Sequence, residues 1–77
     1  RMFMNRDAAL HEITMNNSEY EGILLRRFPC MGDCIIVRIF RGNESIVSHG
    51  DTKLHKGDRL IVTGSSEYVA ELRELLE

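Results

Sequence analysis

Cys34-Ile35-Ile36-Val37-Arg38-Ile39-Phe40-Arg41-Gly42 is the stretch on which the fold turns. β-Branched and aromatic side chains dominate it, which suits a pleated, packed strand and not a helix. A period of two sends Ile35, Val37 and Ile39 to one side and Ile36, Arg38 and Phe40 to the other. Both sides are therefore apolar, one with a cation at its centre. A one-layer sheet needs only one apolar face, so the second is expected to meet another subunit, a ligand, or both.

Working outward, Gly42-Asn43 is a hairpin signal, and Glu44 to Ser48 reads as the return strand with Ile46 inward. Arg59 to Gly64 is another strand, with Leu60 and Val62 on one face. Ser65 or Ser66 caps a final helix to Glu77, whose inner stripe is Val69, Leu72 and Leu75-Leu76. Upstream, Ala9 to Met15 alternates as a strand half buried through Ile13 and Met15. Asn16-Asn17-Ser18 is turn chemistry. Glu19 to Phe28 carries apolar residues at three- and four-residue steps, which predicts a short amphipathic helix ended by Pro29. Residues 1–9 read as a linker or the tail of a preceding element, and 10–77 as one domain. The fold expected is α+β: a small, mostly antiparallel sheet with a short N-terminal helix and a C-terminal helix, working as a dimer.

Composition narrows the function. A domain of 77 residues hides only about 60% of its unfolded surface, so a partner subunit or a larger parent chain would complete its burial. Arg1 in place of an initiator Met fits a fragment. A formal charge of −2 with 29% charged residues is not the footprint of a nucleic-acid binder. No apolar run approaches the roughly 20 residues that cross a bilayer, and no signal peptide is visible. Cys30 and Cys34 could give two of four zinc ligands, but no second pair follows, and His49 and His55 stand at no recognised spacing. Two reduced thiols, no metal and a cytosolic setting are the expectation. Asp51 and Asp58 each follow a glycine in a turn, which points to backbone capping and not acid–base work. With no nucleophile–base pair, the chain does not read as an enzyme.

Three motifs in order then carry a resemblance: Gly22-x-x-Leu25-x-x-Phe28-Pro29, Ile35-Ile36-Val37-Arg38-Ile39-Phe40-Arg41-Gly42, and Gly50-Asp51-Thr52-x-Leu54-x-x-Gly57-Asp58-x-Leu60-Ile61-Val62-x-Gly64. Over residues 10–77 the chain resembles the TrkA-C domain, the C-terminal subdomain of the RCK family (regulators of conductance of potassium). The resemblance implies a homodimeric regulatory domain at the cytoplasmic face of the membrane. It would be fused to or associated with a cation/proton antiporter or potassium uptake system. It also implies a regulatory ligand, cyclic di-AMP, at the dimer interface, with no other cofactor. The matching ligand positions are Ile35, Ile36, Phe40 and Arg41. Arg38 offers a second guanidinium for phosphate, and His49 stands where it can reach the same anion. Where the family usually has proline before its Gly-Asp-Thr step, this chain has Ser48 followed by His49, so the loop is expected to be looser. Two functions from different classes stay open: a sensor of a cyclic dinucleotide, or a module that only dimerises its parent protein.

Overall fold

The computed structural model describes residues 9–28 and 34–77. Among these residues four strands make one antiparallel sheet: β1 (Leu10–Thr14), β2 (Cys34–Arg41), β3 (Glu44–Val47) and β4 (Arg59–Gly64), in the spatial order β1-β4-β2-β3. One helix, α1 (Ser66–Leu76), packs across the inner side of β1 and β4. This is the α+β architecture expected, with one element recast.

The recast element is the helix expected over residues 19–28. It consists of two 3-10 turns, Ser18–Tyr20 and Leu25–Arg27. Gly22, at φ +80°, parts them, a conformation that suits glycine and ends any helix. The freed backbone groups pair instead with the loop before β4. Gly22 N–H donates to Leu54 O at 2.7 Å, Leu54 N–H to Ile23 O at 2.9 Å, and Leu25 N–H to Thr52 O at 2.9 Å. The apolar spacing that looks helical is still used: Phe28 is buried and meets Tyr20 edge-to-face at 5.5 Å. Residues 1–8 of the tail, the stop at Pro29 and Cys30 lie outside the described residues.

The core is Ile13 from β1 and Met15 just past its end, Cys34 and Ile39 from β2, Leu60 and Val62 from β4, Val69, Leu72 and Leu76 from α1, with Phe28 and Leu54 from the loops. Leu75, expected in the inner stripe, is exposed because the helix turns it past the core edge. Ser65 caps α1 by accepting from Tyr68 N–H, and Asn17 caps the first 3-10 turn by accepting from Glu19 N–H. At the hairpin, Gly42 alone takes a positive φ, +58°, which fits a two-residue primed turn with glycine first.

The decisive feature is a bulge in β2. Ile36 lies opposite Val62 and Arg38 opposite Ile61, so two neighbours on β4 face residues two apart on β2. Side-chain parity reverses at Val37. Cys34 and Ile36 lean into the core before it, and Ile39 and Arg41 after it. Ile35, Arg38 and Phe40 share the outer face. The strict alternation expected for this strand is thus corrected: Ile36 is not beside Phe40, and Ile35 and Val37 are not beside Ile39.

Candidate functional site

The bulge ends the pairing of β3. Its ladder with β2 stops at Arg38 opposite Val47, and the next residue, Ser48, donates its hydroxyl to Ile36 O at 2.6 Å. A proline at that position could not make this bond. Farther along, His49 N–H donates to Thr52 Oγ1 and Thr52 N–H returns to His49 O, at 3.1 and 3.0 Å. Arg26 N–H donates to Gly50 O at 3.1 Å. Side-chain and backbone hydrogen bonds thus restrain the loop where the family's proline would fix a dihedral.

Between this loop and the second 3-10 turn lies a cavity of about 230 Å³, lined by Leu25, Arg26, Phe28, Ile36, Ser48, His49 and Gly50. Its floor is apolar, and Arg26 and His49 give its rim cationic and hydrogen-bonding character. Asp51 N–H donates to His49 Nδ1 at 3.3 Å, which makes that nitrogen the acceptor and places the neutral ring's proton on Nε2. The Arg26 guanidinium is paired with the Asp51 carboxylate.

Around the edge from this cavity, the outer face of the sheet carries Leu10, Ile35 and Val47 exposed, with Phe40 and Ile61 half-exposed. Two cations stand among them. Arg38 Nη1 donates to Ser45 Oγ at 2.6 Å, and the Arg59 guanidinium sits 5.2 Å from the centre of the Phe40 ring. Neither is neutralised in a buried pair. The second apolar face that the sequence implies is present: Arg38 and Phe40 stand on it as strict alternation assigns, with Ile35 in the place of Ile36.

Arg41 stands apart. Its Nε and Nη2 donate to the two Asp58 oxygens at 2.8 and 2.9 Å, and Nη2 also donates to Lys53 O at 2.9 Å. Burial pushes the Asp58 carboxyl up. Arg41, with His55 N–H donating to Oδ2 at 2.9 Å, outweighs that and holds it below its ordinary value. The same bonds hold the Arg41 guanidinium above its own. Nearby, Glu21 receives Lys56 N–H at 2.7 Å and faces His55 Nδ1 at 2.6 Å, and these bonds lower its pKa.

Of the residues singled out from sequence, Ile36 and His49 line the cavity, Ile35, Arg38 and Phe40 occupy the outer face, and Arg41 closes on Asp58. Reading by sequence missed Arg26 at the cavity, and it missed the bond that Ser48 makes to Ile36 O. Among the described residues no cluster of three or more His, Cys, Asp or Glu could hold a metal, and no helix is long and apolar enough to cross a membrane.

The family model of the TrkA-C domain matches residues 10–77. Across all 77 residues the chain is 56% identical to the protein named "Putative Na(+)/H(+) antiporter YjbQ" of Bacillus subtilis (strain 168). Over 67 residues, 87% of the chain, it is 33% identical to the Trk system potassium uptake protein TrkA homolog of Archaeoglobus fulgidus. The chain spans 12% and 15% of the lengths of these two relatives. A solved structure described as "Structure of RCK domain with cda" superposes with a TM-score of 0.86 at 64% identity, covering 90% of this chain and 99% of its own.

Proposed function

Because this chain belongs to the TrkA-C domain family, we propose that it is the regulatory domain of a monovalent-cation transporter and binds cyclic di-AMP between two copies of itself. The parent would be a cation/proton antiporter or a potassium uptake system, with this domain at the cytoplasmic face of its membrane. The names of the two curated relatives support the transporter reading. The ligand reading draws support from the 64% identical RCK domain described with cda, taken as this dinucleotide.

The observation that carries the proposal is the outer face. Leu10, Ile35 and Val47 expose apolar surface that the chain's own core does not use, and Arg38 and Phe40 stand beside it. An isologous interface offers the same residues to each half of a two-fold ligand. Ile35 and Phe40 would cover the ligand from the outer face, each adenine reaching the adjoining cavity at Ile36 and His49, with Arg38 facing a phosphate. Arg41 would contribute through Nη1, the nitrogen outside its Asp58 pair. Regulation, not catalysis, is the role proposed, since the ligand would act by biasing how two copies sit.

Calorimetric titration with cyclic di-AMP tests this, with linear AMP as control. One nucleotide per two chains is expected, with stabilisation of about 2.7 kcal/mol at a hundredfold excess over the dissociation constant. Phe40→Asp should sediment as a monomer with its melting curve otherwise intact. A dimer that takes up no nucleotide would return the function to assembly alone. A Phe40→Asp chain still dimeric at micromolar concentration would move the interface elsewhere.

A further inference from the structure

We infer that Asp51 is a built-in competitor for the ligand's phosphate: it holds Arg26 beside the cavity, and a phosphodiester binds by taking Arg26 from it. The inference rests on the proposed dinucleotide reading and adds to it a residue pair outside the positions that the family resemblance supplies.

Three observations carry it. The first is size and lining. A cavity of about 230 Å³ falls short of the roughly 300 Å³ at which sites for whole drug-sized ligands begin, so it suits one half of a symmetric ligand. Leu25, Phe28 and Ile36 offer a flat apolar floor for a base, while Arg26, Ser48 and His49 supply polar groups at its rim.

The second is charge. Among the described residues that line this cavity, Arg26 is the one Arg or Lys, and a guanidinium presents two parallel donors that match a phosphate's oxygens. A carboxylate of the same loop, that of Asp51, accepts from one of those donors, Nη1. Asp51 therefore mimics the anion the cavity is built to receive.

The third is that the pair can open. The Arg26 side chain is 54% exposed and that of Asp51 72% exposed, so each returns to water at little cost when they separate. Their backbones are held independently: Arg26 N–H stays on Gly50 O, and Asp51 N–H on His49 Nδ1. Releasing the side chains leaves the loop in place. His49, with its proton on Nε2, can donate to the incoming ligand without losing its bond to Asp51.

The experiment is calorimetric titration of the chain with cyclic di-AMP in the unaltered form, Asp51→Asn, Arg26→Ala, Arg26→Lys and the double variant Arg26→Ala with Asp51→Asn. Freeing Arg26 should tighten binding about two- to fivefold, the range an exposed ion pair covers. Arg26→Ala should weaken it about tenfold, the low end for losing a charge-assisted bond, and Arg26→Lys should fall between. In the Arg26→Ala background, Asp51→Asn should gain nothing, since there is no guanidinium left to release. Asp51→Asn that binds no tighter than the unaltered chain overturns the inference alone, as does a gain that survives loss of Arg26. An unaltered chain that takes up no nucleotide overturns the dinucleotide reading and this inference with it.

Discussion

The loop between β3 and β4 contains the same dipeptide twice, Gly50-Asp51 and Gly57-Asp58, and each aspartate meets an arginine. Locally the two steps are alike: a glycine, a short carboxylate, a turn. In the folded chain they are opposites. Asp58 is 1% exposed, gripped by two nitrogens of Arg41 and by His55 N–H, and its backbone carbonyl takes Met15 N–H at 2.8 Å. Asp51 is 72% exposed and holds an arginine that is itself mostly in water. The first pair ties the hairpin of β2 and β3 to the entry of β4 and the end of β1. The second sits at the edge of a cavity and can be exchanged. Burial, not the dipeptide, decides which aspartate is structural and which is available to function.

The largest effect should come from the buried member. Asp58→Ala leaves Arg41 without its carboxylate and His55 N–H without its acceptor. The loss should be about 3 kcal/mol, the low end for a broken buried pair, because Arg41 remains 34% exposed. Urea or thermal denaturation reads it directly. The pair also sets an acid dependence. Asp58 has a folded pKa below its ordinary 3.8, so its contribution is complete above that value and is lost as pH falls through the folded one. Asp58→Asn should flatten stability against pH in that window. An Asp58→Ala chain within 0.5 kcal/mol of the original, a bound set from ordinary surface substitutions of about that size, would erase the distinction between the two steps.

The glycines should divide the same way, with a smaller amplitude. Gly57 has φ +95°, a conformation that costs an L-residue about 1–2 kcal/mol, so Gly57→Ala should destabilise by roughly that much although nothing crowds its Cβ. Gly50 has no such φ, and a Cβ there would meet Arg26 Cβ at 3.4 Å, ordinary contact. Gly50→Ala should be neutral or stabilise by up to about 1 kcal/mol through the unfolded chain. Paired denaturation curves would settle the order, and a costlier Gly50→Ala would overturn it.

How much of this was legible follows the range of the interactions. The ends of β4, the Gly42-Asn43 hairpin and the cap at Ser65 depend on neighbours in sequence, and they read correctly from it. The bulge in β2 did not. Val37 is β-branched and apolar like its neighbours, so no residue type marks the point where parity reverses. What parity implied before that point shifted with it: Ile36 moved to the cavity, and Ile35 to the outer face. The two 3-10 turns hid for a related reason, because Tyr20, Leu24 and Phe28 keep helical spacing while Gly22 breaks the helix and the loop at 52–54 takes its hydrogen bonds. Of the candidate site, the residue types were visible and their grouping was not. Arg26 and Ser48 act across the fold, on Asp51 and Ile36, at separations no local pattern encodes.

The smallest effect is the one that lets Asp51 serve as a competitor at all. An exposed ion pair contributes about 0.2–1 kcal/mol, and salt screens it. Asp51→Ala should therefore lower stability by no more than about 0.5 kcal/mol, and the difference should vanish near 1 M salt, where the Debye length falls to about 3 Å. The loop should keep its shape, because what holds it is Ser48 on Ile36 O, Thr52 on His49 and Gly50 O on Arg26 N–H, none of which uses the Asp51 carboxylate. Amide exchange over residues 48–52 measured beside the melting curve separates these. Unchanged protection with a near-zero stability loss leaves Asp51 free to trade its arginine for a ligand. Protection lost across the loop would make Asp51 a structural residue like Asp58, and the contrast between the two steps would collapse.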